Sequence, residues 1–585
     1  MVQPFTVASI QFNPILNERE GNINALMAAI AEAAESGAKL IVTPEMATTG
    51  YHYTDRKAIE PFVDTIPGHT TNRFLEVCRK HQVYLVVGLP EIDPVTALYY
   101  NSAALVGPEG YIGKYRKVHL WETEAHWAAW GDLGVPVFDT PLGKIAINIC
   151  MDSIFFESAR LAALNGADIL AFPTNSTAQS ISMLQARAET NGLYIISANR
   201  TNTEMDYHMI GASAIWSPDG EKLAEAQYLP APRDDIEEPT FLYAEIDPLR
   251  YNNEAKNRLK ERRPELYKEL MLHISPWNYS LSRERKTITV AAIQYEPVRG
   301  DKAANLEKIH RGLENAAKGA AFHSKRLHFA VFPELSATGP VSDYLPQQRI
   351  ELAESLDGAT TQFMKKLAIE YEVTLLYGLM ERENESLYNS AVLINSEGQV
   401  EEVYRQAHTH PHDRHWAVPG NRLGVIDTKA LGRIGIMIGY DALFPETAGI
   451  MAVNRANLIA IPSSWRGEFG KPIAINRHIS ANSYPHGAVA FWDAIAIGAQ
   501  AYTVVANYTG TEKRFLGRSG LYALDPLYGL DQTVVASEHE EEAVLAELVT
   551  AQPDWWFNQE KLIASRRTHL YKKLVYSPVD NFLIT

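Results

Sequence analysis

The chain opens with VASIQFNP at Val7–Pro14, and VAAIQYEP returns at Val290–Pro297. Other pairs follow in the same order at nearly constant offset. IVTPEMATTG at Ile41–Gly50 returns as AVFPELSATG at Ala330–Gly339. Tyr100-Asn101-Ser102-Ala103 returns as Tyr388-Asn389-Ser390-Ala391, Tyr115-Arg116 as Tyr404-Arg405, and His126-Trp127 as His415-Trp416. Arg262-Arg263 with Leu266-Tyr267 returns as Arg566-Arg567 with Leu570-Tyr571. Chance similarity does not preserve both order and offset, so the 585 residues read as two copies of one fold. The boundary is expected near His273–Lys286, a polar stretch containing Pro276, Ser280 and Ser282. That gives domains 1–275 and 287–585 joined by a short linker, and an intramolecular pseudo-dimer is expected from it.

Within the first copy, strand and helix patterns alternate. Thr6–Gln11, Lys39–Thr43, Val83–Leu89, Lys144–Ile149 and Asp168–Phe172 are apolar, β-branched runs that predict strands. Asn22–Glu35, Thr71–His81 and Ser158–Asn165 carry helical periodicity. This rhythm predicts an α/β architecture with helices flanking sheets. Cys78 shares a helical face with Phe74 and reads as core.

Composition narrows the function classes. The formal net charge is -16, which disfavours nucleic acid and anionic membrane as partners. Two cysteines in a chain this long favour a reducing compartment, so a cytoplasmic location is expected. No apolar run is long enough to span a bilayer, and no basic, apolar leader opens the chain. No CxxC, HExxH or P-loop pattern occurs, so no metal or nucleotide is implied. The run HTHPHDRH at His408–His415 is rich in histidine, yet no matching ligand spacing follows it, and it reads as loop histidines.

Three chemistry-bearing residues stand just beyond predicted strands, where α/β sheets gather functional groups. Cys150 follows KIAINI, Glu45 follows IVTP, and Lys117 lies in KYRKVHLW. Each alone has an ordinary reading: a core thiol, a surface carboxylate, a solvated basic run. The three segments together, TPEMATTGY, YRKVHLW and NICMDS, resemble signature segments of the nitrilase superfamily, the carbon–nitrogen hydrolases. The VASIQFNP opening, the NSA segment, FPTNS after the cysteine and RRPELY at the end of the copy resemble that family too. The resemblance spans essentially all of the first copy and most of the second.

The resemblance implies two αββα sandwich domains in tandem and a Glu-Lys-Cys triad. Glu45 would take the thiol proton and later activate water, and Cys150 would form a thioester. Lys117 and the backbone amide after the cysteine would stabilise the oxyanion. Many members carry a second carboxylate; Glu124 fits best, with Glu122 as the alternative. No cofactor is implied. Trp121, Met151, Phe155 and Asn175 are candidate substrate-binding residues, with Trp127 and Trp130 as further candidate walls.

In the second copy Glu45 aligns with Glu334, but Lys117 aligns with Gln406 and Cys150 with Gly439. Asp152 matches Asp441, and Glu124 falls opposite Asp413. Glycine offers no nucleophile and glutamine no charge, so the second copy is expected to be catalytically inactive. It also carries about 20 extra residues between Trp465 and Asn507, expected to form a lid or a partner-facing loop. In the first copy Met151-Asp152 follows the cysteine where true nitrilases usually carry Trp-Glu, and Ser153 and Ile154 offer no cation. The reading is hydrolysis of a neutral linear carboxamide. Nitrile hydrolysis, acyl transfer and a non-catalytic binding or scaffold role are the alternatives. The small-molecule amide is the expected partner, and further homo-oligomerisation stays open.

Overall fold

The computed structural model describes the chain apart from residues 1–2, 178, 234–238, 273–284, 468–469, 475–483, 511–514, 525–531, 551–556 and 577–585. The expected linker therefore lies mostly outside the described residues. The chain divides into two compact units: Met1–Lys260 with Ser565–Leu574, and Glu261–Ala564 with Val575–Thr585. Division by order along the chain, as 1–275 and 287–585, differs from this at the ends of the copies. The segment carrying Arg566 and Tyr571 belongs to the first unit, and the segment carrying Arg262 and Tyr267 to the second.

The first unit holds two six-stranded sheets. One runs in the order Thr240–Ile246, Phe5–Gln11, Ala38–Val42, Tyr84–Ile92, Tyr99–Gly107, Gly110–Arg116. The other runs Lys222–Glu225, Ala214–Trp216, Tyr194–Ala198, Ile169–Pro173, Gly143–Ile147, Val137–Thr140. Parallel pairing at the centre of each sheet requires crossover helices, and these cover the outer faces. Helices Arg19–Glu35 and His69–His81 bury Ile23, Leu26, Ile30, Phe74, Val77 and Cys78 against the first sheet. Helices Phe156–Leu164 and Gln179–Asn191 serve the second. The inner faces meet: Ser9 Oγ donates to the Ser197 carbonyl at 2.7 Å, and Ser213 Oγ donates to Gln11 Oε1 at 2.9 Å. This is the αββα sandwich. Cys78 is core, fully buried with its thiol pushed up to about 12 by burial.

The second unit repeats the plan. One sheet runs Val400–Arg405, Ser386–Ile394, Thr374–Glu383, Phe329–Val331, Thr287–Gln294, Glu542–Val549. The other runs Val425–Thr428, Gly432–Ile436, Leu458–Pro462, Tyr502–Ala506, Gly520–Tyr522, Val534–Val535. Much of the extra segment after Trp465, expected to be a lid or partner-facing loop, lies outside the described residues; the helix that follows it, Ala490–Ala499, is the counterpart of Gln179–Asn191, and its Phe491 and Trp492 are buried. Their rings lie 5.2 and 6.3 Å from that of Trp465, so these aromatics are core and not the surface of a lid.

Candidate active site

Strand ends assemble the site. Ala38–Val42 delivers Glu45 through a tight turn in which Met46 takes φ 52°. That turn presses on the neighbouring strand at Gly88, where an added Cβ would stand 2.5 Å from the Pro44 carbonyl and 2.8 Å from Glu45 Cα. The absence of a side chain at Gly88 lets the carboxylate turn close down on that strand. Strand Gly110–Arg116 delivers Lys117, whose N–H donates to the Asn101 carbonyl at 2.8 Å. Strand Gly143–Ile147 leads to a 3-10 turn at Cys150–Ser153. Cys150 there takes φ 45°, a left-handed conformation costly for a residue with a Cβ and one that recurs at functional sites.

The four expected chemical residues come together with one the sequence reading left out. Lys117 Nζ donates to Glu45 Oε1 at 2.7 Å and to Glu124 Oε1 at 2.8 Å. Asn101 Nδ2 donates to the same two oxygens, at 2.7 and 2.8 Å. An ammonium and an amide thus bridge two carboxylates, all of them buried. Glu124 Oε2 accepts from the Trp121 N–H at 2.8 Å, whereas Glu122 is exposed. Glu45 Oε2 has no hydrogen-bond partner among the described residues. Asn101 had a signal in the sequence, since its YNSA segment is one of the repeated pairs.

Burial dominates the electrostatics. It pushes the Glu45 carboxyl up to about 7, with Lys117 pulling it down and Glu124 pushing it further up. Burial also pushes the Cys150 thiol up to about 12, assisted by the Glu45 charge and opposed by Lys117. Burial works against the Lys117 ammonium, but Glu124 and Glu45 outweigh it and hold the group charged. At neutral pH the site therefore rests with a thiol, an ammonium and a carboxyl poised between its two forms.

The other candidates fall in different places. Cys150 Sγ lies 3.8 Å from the Asn175 carbonyl, and both polar atoms of the Asn175 amide are buried without partners among the described residues. Met151 is buried on the Cys150 turn, and Trp121 is half-buried. Phe155 is buried, stacked on His119 at 3.8 Å. Trp127 packs in a cluster with Tyr51 and Tyr53, whereas Trp130 is exposed beneath the Arg567 guanidinium. Tyr51 was not anticipated. It is buried, and the charges of Glu124, Glu45 and Cys150 reinforce the burial that raises its pKa. Its backbone N–H is held by Glu204 at 2.8 Å.

In the second unit the corresponding groups stand differently. Glu334 is buried, accepting from Asn389 Nδ2 at 2.5 Å and from Ser464 Oγ at 2.7 Å. Gln406 Nε2 donates to the Ile438 carbonyl at 3.1 Å, so it does not bridge carboxylates as Lys117 does. Burial, then Asp413, push the Glu334 carboxyl up to about 7. A cavity of about 70 Å³ adjoins Glu334, Asp413, Gly439, Ser464, His410 and His412. Among the described residues no group of three or more His, Cys, Asp or Glu side chains is placed to hold a metal ion. No helix among them is long and apolar enough to cross a membrane.

The αββα sandwich is thus present twice in the chain. The family model described as carbon-nitrogen hydrolase matches residues 6–248 and again 289–548. The chain belongs to that family, and the family's domain occurs in it twice. A nitrilase of Pyrococcus abyssi is 39% identical over 267 residues, 45% of this chain and 98% of the relative. A formamidase of Bacillus cereus is 34% identical over 245 residues, 39% of this chain and 73% of the relative. Among solved structures, an amidase from Nesterenkonia sp. aligns at 24% identity and TM-score 0.38, covering 46% of this chain and 97% of its own. Nit3 of Saccharomyces cerevisiae aligns at 25% identity and TM-score 0.38, covering 43% and 92%.

Proposed function

We propose that the first unit hydrolyses a neutral linear carboxamide through a thioester on Cys150, releasing ammonia or an amine and a carboxylic acid. The observation that carries this reading is the buried Lys117 ammonium bridging Glu45 and Glu124 at 2.7 and 2.8 Å, beside the strained Cys150 turn. Glu45 accepts the thiol proton as sulfur attacks the amide carbon. The tetrahedral oxyanion is stabilised by Lys117 and the Met151 N–H. Glu45 returns the proton to the leaving nitrogen, and the C–N bond breaks. Glu45 then takes a proton from water, hydroxide attacks the thioester, and the acid leaves as the thiol is restored. Glu124 and Asn101 hold Lys117 and Glu45 in register throughout. No external cofactor enters any step.

A neutral substrate is favoured by what surrounds the nucleophile. The nearby Arg187 is buried, and its Nε and Nη2 donate to the carbonyls of Ser153 and Ile154 at 2.9 Å. It supports the turn behind Cys150, and it is not set out as a carboxylate clamp. The second unit is read as inactive because Gly439 supplies no nucleophile and Gln406 no charge. Nitrile hydrolysis is the second reading, favoured by the 39% identity to a nitrilase, since the same thiol can attack a nitrile carbon.

The test is ammonia release from a panel of small amides and nitriles by the full chain and by Cys150→Ala. Release from amides by the unsubstituted protein alone is expected. Release mainly from nitriles promotes the second reading, and activity surviving in Cys150→Ala overturns the mechanism.

A further inference from the structure

The turn that presents Cys150 is held by one carboxylate. Asp152 Oδ2 accepts from the Ile149 N–H at 2.8 Å and from the Tyr115 hydroxyl at 2.7 Å. Asp152 Oδ1 accepts from the His119 N–H at 3.1 Å and lies 2.7 Å from His119 Nδ1. With Nδ1 donating to Asp152, the other ring nitrogen of a neutral His119 is an acceptor. It lies 2.6 Å from the Tyr571 hydroxyl. Tyr571 comes from Ser565–Leu574, the segment near the end of the chain that belongs to the first unit. Burial keeps that phenol protonated and so able to donate. The segment is anchored by Arg566, whose Nε donates to Glu157 at 2.9 Å with both side chains almost fully buried. His119 is itself clamped flat against Phe155, at 3.8 Å and 6° between planes.

We propose that Tyr571 is a positioning residue for catalysis: through His119 and Asp152 it holds the turn that keeps the Cys150 thiol aimed at the substrate carbon. The catalytic unit is then incomplete without a segment that the chain reaches only after the whole second repeat. Translation of the inactive copy becomes a condition for a competent site. The inference rests on the thioester reading for its kinetic consequence, though not for its effect on the thiol.

The second unit contains a built-in comparison. There Tyr267 hydroxyl lies 2.6 Å from His408 Nε2, His408 Nδ1 lies 2.8 Å from Asp441, and Phe444 stacks on His408 at 4.1 Å. The turn this second chain of contacts holds carries Gly439 and no thiol. A purely structural clasp predicts that both tyrosines matter alike; a positioning role predicts that only one touches chemistry.

The experiment compares Tyr571→Phe with Tyr267→Phe in the full-length protein. Tyr571→Phe is expected to lower kcat about tenfold with KM changed less than twofold, and to slow alkylation of Cys150 by iodoacetamide at fixed pH. Cys150 is read by peptide mass spectrometry, apart from Cys78. Tyr267→Phe is expected to lower the melting temperature as much as Tyr571→Phe does and leave kcat and the alkylation rate unchanged. Equal kinetics and equal alkylation in the two variants overturn the proposal. Should Tyr571→Phe be insoluble, Arg566→Lys weakens the anchor of the same segment. A normal kcat and alkylation rate in that variant, at reduced melting temperature, likewise overturns it. The alkylation readout needs no substrate, so failure of the amide reading and failure of this inference are separable.

Discussion

Replacing Lys117 with glutamine places in the first unit the residue that the second unit carries at the matching position. The ammonium now bridges Glu45 and Glu124 at 2.7 and 2.8 Å. Their two oxygens therefore lie no further apart than the sum of those contacts, about 5.5 Å. With an effective dielectric near 20, two charges at that separation repel by about 3 kcal/mol, and removing one partner of a buried ion pair costs about 3–5 kcal/mol. The site escapes by taking up a proton, since each pKa unit corresponds to about 1.4 kcal/mol. Glu45, already held at about 7, moves further up. A carboxyl whose folded pKa is raised gives stability at low pH and loses it as pH rises from its unfolded value to its folded value. In the unsubstituted protein that window runs from 4.5 to about 7; in Lys117→Gln it extends above 7. Urea unfolding at pH 6, 7, 8 and 9 should show the variant less stable everywhere, with a gap that widens above pH 7 by about 1 kcal/mol per unit. Amide hydrolysis should fall by roughly 100–1,000-fold from loss of the oxyanion donor. A gap independent of pH would refute the claim that Lys117 neutralises two buried carboxylates.

Three further outcomes follow from the same geometry. The kcat/KM profile should rise with pH through about 7, because Glu45 must be ionised to take the thiol proton, and a flat profile between pH 5.5 and 8.5 would contradict that role. Gly439→Cys should leave the second unit inactive even beside Gln406→Lys: an added Cβ would stand 2.6 Å from Glu334 Oε2, so the carboxylate must move away from where a base is needed; ammonia release in the Cys150→Ala background reads this directly. Arg566→Met leaves Glu157 buried without its partner and should cost about 3–5 kcal/mol in urea unfolding, whereas a loss below about 1 kcal/mol would mean the pair contributes little.

The repeat was legible in the sequence because each copy keeps its strand-end residues in order. The strands and helices read from periodicity lie within about three residues of those in the structure, as with Thr6–Gln11 against Phe5–Gln11 and Ser158–Asn165 against Phe156–Leu164. Glu45, Lys117 and Cys150 stand just after strands, whereas Glu124, singled out by the resemblance, lies in the 3-10 helix Glu122–His126, and the structure brings both carboxylates to Lys117. Asn101 and Tyr51 were not legible, although both lie in quoted segments. Their roles depend on which way a side chain turns across the sheet, and no local pattern encodes that. Phe155 illustrates the same limit, since its ring stacks on His119. The assignment of Ser565–Leu574 to the first unit was also hidden. Both copies end in the same Arg-Arg and Leu-Tyr pattern, so a sequence cannot say which unit each tail joins.

The most direct test is rapid acid quench of the full-length protein with the best amide of the panel, followed by peptide mass spectrometry. One acyl adduct is expected, on Cys150, absent in Cys150→Ala, strongly reduced in Glu45→Gln and not found on any peptide of the second unit. Turnover with no adduct on Cys150, or an adduct elsewhere that forms and decays at the turnover rate, would contradict that expectation.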